Sequence, residues 1–153
     1  MSQSLIVIAA RDELTYVRSA GVEAVLQVQG AVGTARRTYL VMENIRGSFD
    51  ATVLRVFLKA PAPDAGSPPS EVHLGSHALY GLRSASVPRA DGQPGGLQCQ
   101  LDVTPQSAQI AAALAGQAQL RLSILPHQQL PDGVEITIDR IRISVEADAA
   151  NTP

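Results

Sequence analysis

Apolar and polar residues alternate along several short stretches of this chain, which is the period expected of half-buried β-strands. The alternation predicts strands over residues 22–28, 52–59, 97–103 and 120–124. Short apolar or mixed stretches predict further strands over 5–9, 38–45 and 71–74. Between them, two segments rich in proline and glycine, 60–69 and 88–96, do not suit a sheet interior and are predicted loops.

One helix is predicted in the second half of the chain. Thr104 is a suitable N-cap, Pro105 suits the first helical position, and Gly116 suits the position just past the end. Ile110, Ala111 and Leu114 then share one face, which identifies the side that packs on the core.

The last predicted strand, 135–146, changes its alternation midway. Ile136 and Ile138 have one parity, whereas Ile141 and Ile143 have the other. One extra residue near Asp139–Arg140, a β-bulge in this strand, would restore the register. With seven or eight short strands and one helix, the fold prediction is a mainly β, antiparallel β-sandwich over residues 1–147, followed by a frayed tail, 148–153.

Composition supports a single globular domain and argues against two classes of partner, nucleic acids and anionic membranes. Of 153 residues, 45% are hydrophobic and 17% charged, and the formal net charge is -2. This balance gives no electrostatic reason to bind nucleic acid or an anionic membrane. No apolar run approaches the roughly 20 residues of a membrane helix, and no signal peptide is recognisable, so the predicted compartment is the cytoplasm.

The single cysteine, Cys99, excludes an internal disulfide. As a nucleophile or copper ligand it would need access to solvent or metal. Its parity places it with Leu97 and Leu101, which favours a buried, unreactive thiol.

The only histidines are His73, His77 and His127. On an unbroken strand His73 and His77 would share one face roughly 13 Å apart, too far for one metal ion. A helical turn would bring them together, but Gly75 disfavours a helix. They are predicted to be surface or turn residues, with His73, His77 and Cys99 as weak metal candidates. The sequence contains no nucleophile elbow, P-loop or dinucleotide motif, so we do not expect an enzyme.

Several segments, taken in order, resemble the C-terminal domain of the tyrosinase and polyphenol oxidase family of type 3 copper proteins. They are TYLVMENI at 38–45, ATVLRVFL at 51–58, LYGLR at 79–83, LDVT at 101–104, QLRLSILP at 119–126 and VEITIDRIRISV at 134–145. The resemblance implies a β-sandwich that covers the copper site of another domain and keeps the enzyme latent. The oxidation would belong to six histidines elsewhere, so copper is expected on the partner.

The resemblance also implies a side chain that enters the partner's pocket in place of substrate. Tyr80 is the first candidate because a phenol resembles the family's substrates, with Leu79 and His77 as rim contacts. Alternatively, Tyr80 simply packs at the edge of the sandwich.

The predicted function is a non-catalytic accessory domain or subunit that shields, or assists maturation of, a tyrosinase-like copper oxidase. It predicts an exposed apolar patch, for which the mixed faces of 38–45 and 51–59 are suited. The alternative is a free-standing or self-assembling β-sandwich that binds a ligand or forms homo-oligomers through its strand edges. A role in copper delivery by His73, His77 and Cys99 is disfavoured because Cys99 is predicted to be buried.

Overall fold

The computed structural model describes residues 5–32, 37–47, 53–60, 66, 70–79 and 95–146. Within these residues there are nine strands: β1 Leu5–Arg11, β2 Thr15–Val17, β3 Val22–Val28, β4 Thr38–Arg46, β5 Val53–Ala60, β6 Ser70–Ala78, β7 Leu97–Asp102, β8 Gln119–Pro126 and β9 Ile136–Glu146. The tail 148–153 and almost all of the predicted loops 60–69 and 88–96 lie outside the described residues.

The strands form one antiparallel sheet in the order β6-β5-β8-β3-β1-β9-β4-β7, with β2 also paired to β9. Its two halves, β6-β5-β8-β3 and β1-β9-β4-β7, are joined by a short ladder. Only Ala9↔Val28 and Ala10↔Gln27 pair β1 with β3. The sheet can therefore bend sharply at this junction.

The sheet curls until its edge strands, β6 and β7, come near each other. A Cβ placed on Gly75 of β6 would lie 3.1 Å from Cδ1 of Leu101 on β7. The result is a sheet nearly closed into a barrel shape. The mainly β, antiparallel prediction is confirmed, but a division into two separate sheets is not, because the described strands are hydrogen-bonded into one.

Alternation within the strands builds the core. On β5, Leu54, Val56 and Leu58 are all fully buried, whereas the side chains between them are half-buried on the outer face. Leu58 lies opposite Leu122 of β8, so neighbouring strands contribute to the same interior layer. Burial of this apolar surface is the main force that closes the sheet.

The helix, α1, is confirmed but begins later than predicted, at Ser107, and ends at Leu114. Thr104 and Pro105 lie in a preceding 3₁₀ turn, and the Thr104 hydroxyl accepts a hydrogen bond from the Thr38 backbone N–H at 3.0 Å rather than capping α1. Ile110 and Leu114 of α1 are buried as predicted, but Ala111 is exposed, because it lies about 100° around the helix from Ile110. The helix contacts β5 and β8. No helix among the described residues is long and apolar enough to cross a membrane.

The parity change in β9 is confirmed, but its predicted cause is wrong. The pairing of β9 with β4 keeps one register from Thr38↔Val145 to Arg46↔Thr137, so β9 carries no extra residue against β4. Instead β4 changes parity at the facing position, where Asn44 has a left-handed backbone with φ 53°. On the other side of β9, three residues, 12–14, face the two residues 139–140, so the extra residue belongs to the β1–β2 connection.

Candidate functional site

A bulge in β6 decides where the two neighbouring histidines point. Val56 of β5 pairs with Gly75, but Phe57 pairs with His73, so β6 has one extra residue between these pairs. Gly75 has φ 156°, which suits glycine at such a bulge. His73 therefore lies on the outer face opposite Phe57, whereas His77 lies opposite the buried Leu54. An unbroken strand would have placed both histidines on one face, but the bulge in β6 places them on opposite faces.

On the outer face, four side chains of β5 and β6 form a cluster that we call the Arg55 face: Arg55, Phe57, His73 and Ser76. The Phe57 and His73 rings lie 5.1 Å apart between centroids, tilted by 44°. The Arg55 guanidinium carbon lies 5.8 Å from the Phe57 ring centroid, and His73 Nε2 is 3.1 Å from Ser76 Oγ. The outward parity of Arg55 and Phe57 is visible in the sequence, but their junction with His73 depends on the bulge.

His77 points into the interior near the end of β6. Burial lowers the pKa of its imidazole, so the neutral form is favoured there. Leu79, two residues further on, is 0% exposed and belongs to the hydrophobic core. A rim contact with a partner requires an exposed side chain, so Leu79 is better explained as a core residue. Tyr80 lies outside the described residues, and its role as a placeholder stays a prediction.

The thiol of Cys99 is fully buried opposite Met42 of β4. Burial raises its pKa to about 12, which keeps it protonated in the range where a nucleophile or metal ligand would need a thiolate. His127 is exposed just beyond β8, and its backbone N–H donates to Val53 O at 2.7 Å. In the described part of the chain, no group of three or more His, Cys, Asp or Glu side chains could hold a metal ion.

Beside the Arg55 face, two cations share one carboxylate. Glu23 of β3 accepts a hydrogen bond from Lys59 Nζ at 3.0 Å and one from Arg121 Nη1 at 3.0 Å. The Lys59 bond is the main reason that the pKa of Glu23 is lowered. The cluster leaves one positive charge in excess on this part of the outer face.

Two carboxylates near β9, Glu135 and Asp139, form ion pairs. Glu135 accepts from Arg18 Nε at 3.1 Å, across the loop before β9. Asp139 accepts from Arg46 and also from Asn44 Nδ2 at 3.2 Å. These contacts give both carboxylates a structural role.

The exposed apolar residues lie elsewhere than predicted. Among the described residues, the large hydrophobic side chains most open to solvent are on β1, on β2 and between them: Leu5 44%, Ile6 53%, Leu14 39% and Tyr16 47%. On β4, by contrast, Val41 is only 7% exposed. The mixed faces of 38–45 and 51–59 are therefore not the main apolar surface, because their apolar residues are largely covered.

An open cleft of about 450 Å³ marks the junction of the two halves of the sheet. It lies where β1 leaves β3, and its lining includes Asp12, Glu13, Gln27, Gln29 and Gln119, together with Ala10 and Val25. The cleft therefore offers both hydrogen-bonding groups and apolar surface.

Comparison with known proteins gives a curated relative and distant structural likenesses. The chain is 23% identical over 117 residues to Tyrosinase HcTyr1 from Hahella sp. (strain CCB-MM4), and the match lies in the C-terminal region of that protein. It covers 76% of this chain but 25% of the tyrosinase, so the chain spans about a quarter of its relative's length.

The structural likenesses are to chains of infectious bursal disease virus. The Gx strain structure has a TM-score of 0.43 at 13% identity and covers 99% of this chain and 33% of its own. The Gt strain structure has a TM-score of 0.26 at 14% identity, with 98% and 42% covered. Scores this low support no inference about fold or function.

A family profile matches almost the whole of the described sheet, from β1 to the end of β9. It covers residues 7–146 and carries the description "Domain of unknown function (DUF7868)". The chain belongs to this DUF7868 family.

Proposed function

We propose that this chain is a non-catalytic accessory module that shields, or assists maturation of, a tyrosinase-like copper oxidase. The observation that carries the proposal is the 117-residue match to the C-terminal region of a tyrosinase. Because the chain corresponds to a quarter of that protein, the oxidase chemistry and its copper are expected on a partner domain or chain.

The arrangement of the candidate residues is compatible with a role without chemistry. Cys99 is buried with a raised pKa, and the bulge in β6 points His73 and His77 to opposite faces. The nearly closed sheet would supply a rigid support for the segment that follows Leu79, from which Tyr80 would enter the partner's pocket. As in the sequence-based prediction, the sheet would then pack over the entrance to the copper site as a sandwich-like lid.

The test is a titration of a tyrosinase-like oxidase with the purified chain, with catechol oxidation as the readout. We expect binding in the micromolar range or tighter, together with a fall in the initial rate or a rise in KM. Tyr80→Ala should relieve the inhibition, whereas Tyr80→Phe should retain part of it. Tyr16→Ala is the matched control, because Tyr16 is 47% exposed on β2, and it should inhibit like the unaltered chain.

Maturation is separated from shielding by co-expression. If the chain assists maturation, the oxidase produced beside it should contain more copper per protein than oxidase produced alone, whatever residue stands at 80. An oxidase that neither binds the chain nor changes in rate or copper content would refute both forms of the proposal.

A self-assembling structural module is the second candidate, favoured by the exposed side chains of β1 and β2. The β2 strand pairs only with β9 in the described sheet, and Tyr16 within it and Leu14 just before it are exposed. Light scattering at rising concentration tests this candidate. A monomer at high concentration would exclude it, and dimers abolished by Ile6→Lys would support it.

A further inference from the structure

Arg55 differs from the other basic residues in its electrostatic surroundings. Among the arginines and lysines in the described segments, each one except Arg55 forms an ion pair with a carboxylate. Its Nε is buried and has no hydrogen-bond partner. A buried donor without an acceptor costs folding free energy, and it calls for an explanation.

The surroundings of Arg55 orient its guanidinium without neutralising it. The guanidinium carbon is 5.8 Å from the centroid of the Phe57 ring, where the electron-rich ring attracts a cation. The His73 ring supports Phe57 from the next strand, at 5.1 Å. An arginine held in one orientation offers two parallel N–H donors, which match the two oxygens of a carboxylate.

The charges around the Arg55 face favour an anionic partner. Lys59 and Arg121 share the single carboxylate of Glu23, and Glu71 is the only other acid on the paired outer positions of β5, β6 and β8. With Arg55, three cations therefore face two carboxylates. The excess charge would draw a carboxylate toward this face and fix its position there.

We propose that the Arg55 face is a docking site for a protein partner that presents an Asp or Glu side chain to Arg55. Arg55 and Phe57 are half-buried at its centre, and His73 and Ser76 are exposed at its rim. This arrangement of an arginine and an aromatic ring within a polar border is typical of protein interfaces. An open sheet face would bury too little of a small molecule to hold it. The inference does not depend on the partner being an oxidase.

The test follows the Arg55 Nε–Hε signal by NMR in the complete, ¹⁵N-labelled chain at low salt. The probe is the peptide acetyl-Gly-Glu-Ala-Glu-Gly-amide, and its control is the same peptide with Gln in place of both Glu residues. We expect the Glu peptide to move the Arg55 signal saturably and the Gln peptide to bind at least about tenfold more weakly. Arg55→Gln should abolish the preference, whereas Arg140→Gln, on β9 and outside the Arg55 face, should retain it.

Two further measurements separate the alternatives. Sodium acetate supplies a free carboxylate. If acetate binds as tightly as the Glu peptide, the Arg55 face is a site for small anions and not a docking site for a protein. Arg55→Lys keeps the charge but loses the paired donors, so in this variant the Glu peptide should bind several-fold more weakly. Equal binding of the Glu and Gln peptides, or unchanged binding in a folded Arg55 variant, would overturn the proposal.

Discussion

Gly96 lies close against the backbone of Asn44, and this makes Gly96→Ala a sharp test of the packing. Gly96 precedes β7 and has φ 144°, a backbone conformation that other residues rarely adopt. An added Cβ would lie 2.7 Å from Asn44 Cα and 2.9 Å from the Asn44 carbonyl carbon. Both contacts are with backbone, which cannot rotate away as a flexible side chain could.

The expected loss combines two effects. Holding alanine at this φ costs about 1–3 kcal/mol. Relief of the overlap by movement of β4 or β7 costs about a further 1–3 kcal/mol, as for other overpacked sites. We therefore expect Gly96→Ala to lower the free energy of unfolding by about 3–4 kcal/mol, which corresponds to roughly 10 °C in Tm for a chain of this size.

Urea unfolding followed by far-UV circular dichroism measures the effect, with two glycine controls. Gly116 has φ 69° but nothing within 4 Å of its added Cβ, so Gly116→Ala should lose only the backbone part, about 1–2 kcal/mol. Gly30 has an ordinary φ, and its added Cβ would lie 3.4 Å from the nearest atom, Ile8 Cγ2. Gly30→Ala should therefore change stability by less than about 1 kcal/mol. A Gly96→Ala variant no less stable than Gly116→Ala would show that β4 and the start of β7 are not in close contact.

Three further predictions concern pH and stability, each measured by urea unfolding across a pH series. Because burial raises the pKa of Cys99 to about 12, the folded chain keeps a proton that the unfolded chain releases, so stability should fall by up to about 1.4 kcal/mol per pH unit above about pH 9. Cys99→Ala should remove that slope, and an unchanged slope would contradict the burial. Burial lowers the pKa of His77, so the unfolded chain binds the proton more tightly and stability should fall below about pH 6.5. His77→Gln should reduce this fall and His73→Gln should not; equal effects would refute the assigned facing. The pKa of Glu23 is lowered mainly by the Lys59 hydrogen bond, so its stabilisation exists above the ordinary pKa near 4.5 and disappears as pH falls through the lowered one. Glu23→Gln should cost less than about 1 kcal/mol at pH 7, because the pair is exposed, and Glu13→Gln, at an 82% exposed side chain, should cost nothing measurable.

Strand alternation predicted much of the fold because one face of the sheet is buried. The positions of β3, β5 and β7 follow from residues such as Leu26, Leu54 and Cys99, which are fully buried where the sequence places them inward. The short strand β2 was missed. Its inward residues, Thr15 and Val17, span a single alternation, which is too short to distinguish from a loop.

The changes of register could not be assigned from one strand alone. The sequence of the last strand shows that its alternation changes near Asp139. The features that accommodate this change lie on its neighbours: one extra residue in the connection 12–14, and the left-handed Asn44 on β4. A bulge is a property of a pair of strands, so its location requires knowing which strands pair. Thr104 illustrates a similar limit: its hydroxyl bonds Thr38, 66 positions away along the chain, instead of capping the nearby helix.

The bulge beside Gly75 is a further change of register that the sequence of one strand does not show, and it decides the arrangement of the candidate site. Without it, His73 and His77 would share one face of the sheet. With it, His73 contacts Phe57 on the outer face, and His77 points inward, where burial lowers its pKa. The same glycine lies against β7: an added Cβ would come within 3.1 Å of Leu101 Cδ1, so the Leu101 side chain would have to shift. Gly75 therefore suits both the close approach of β6 to β7 and the bulge that decides which side chains the outer face presents.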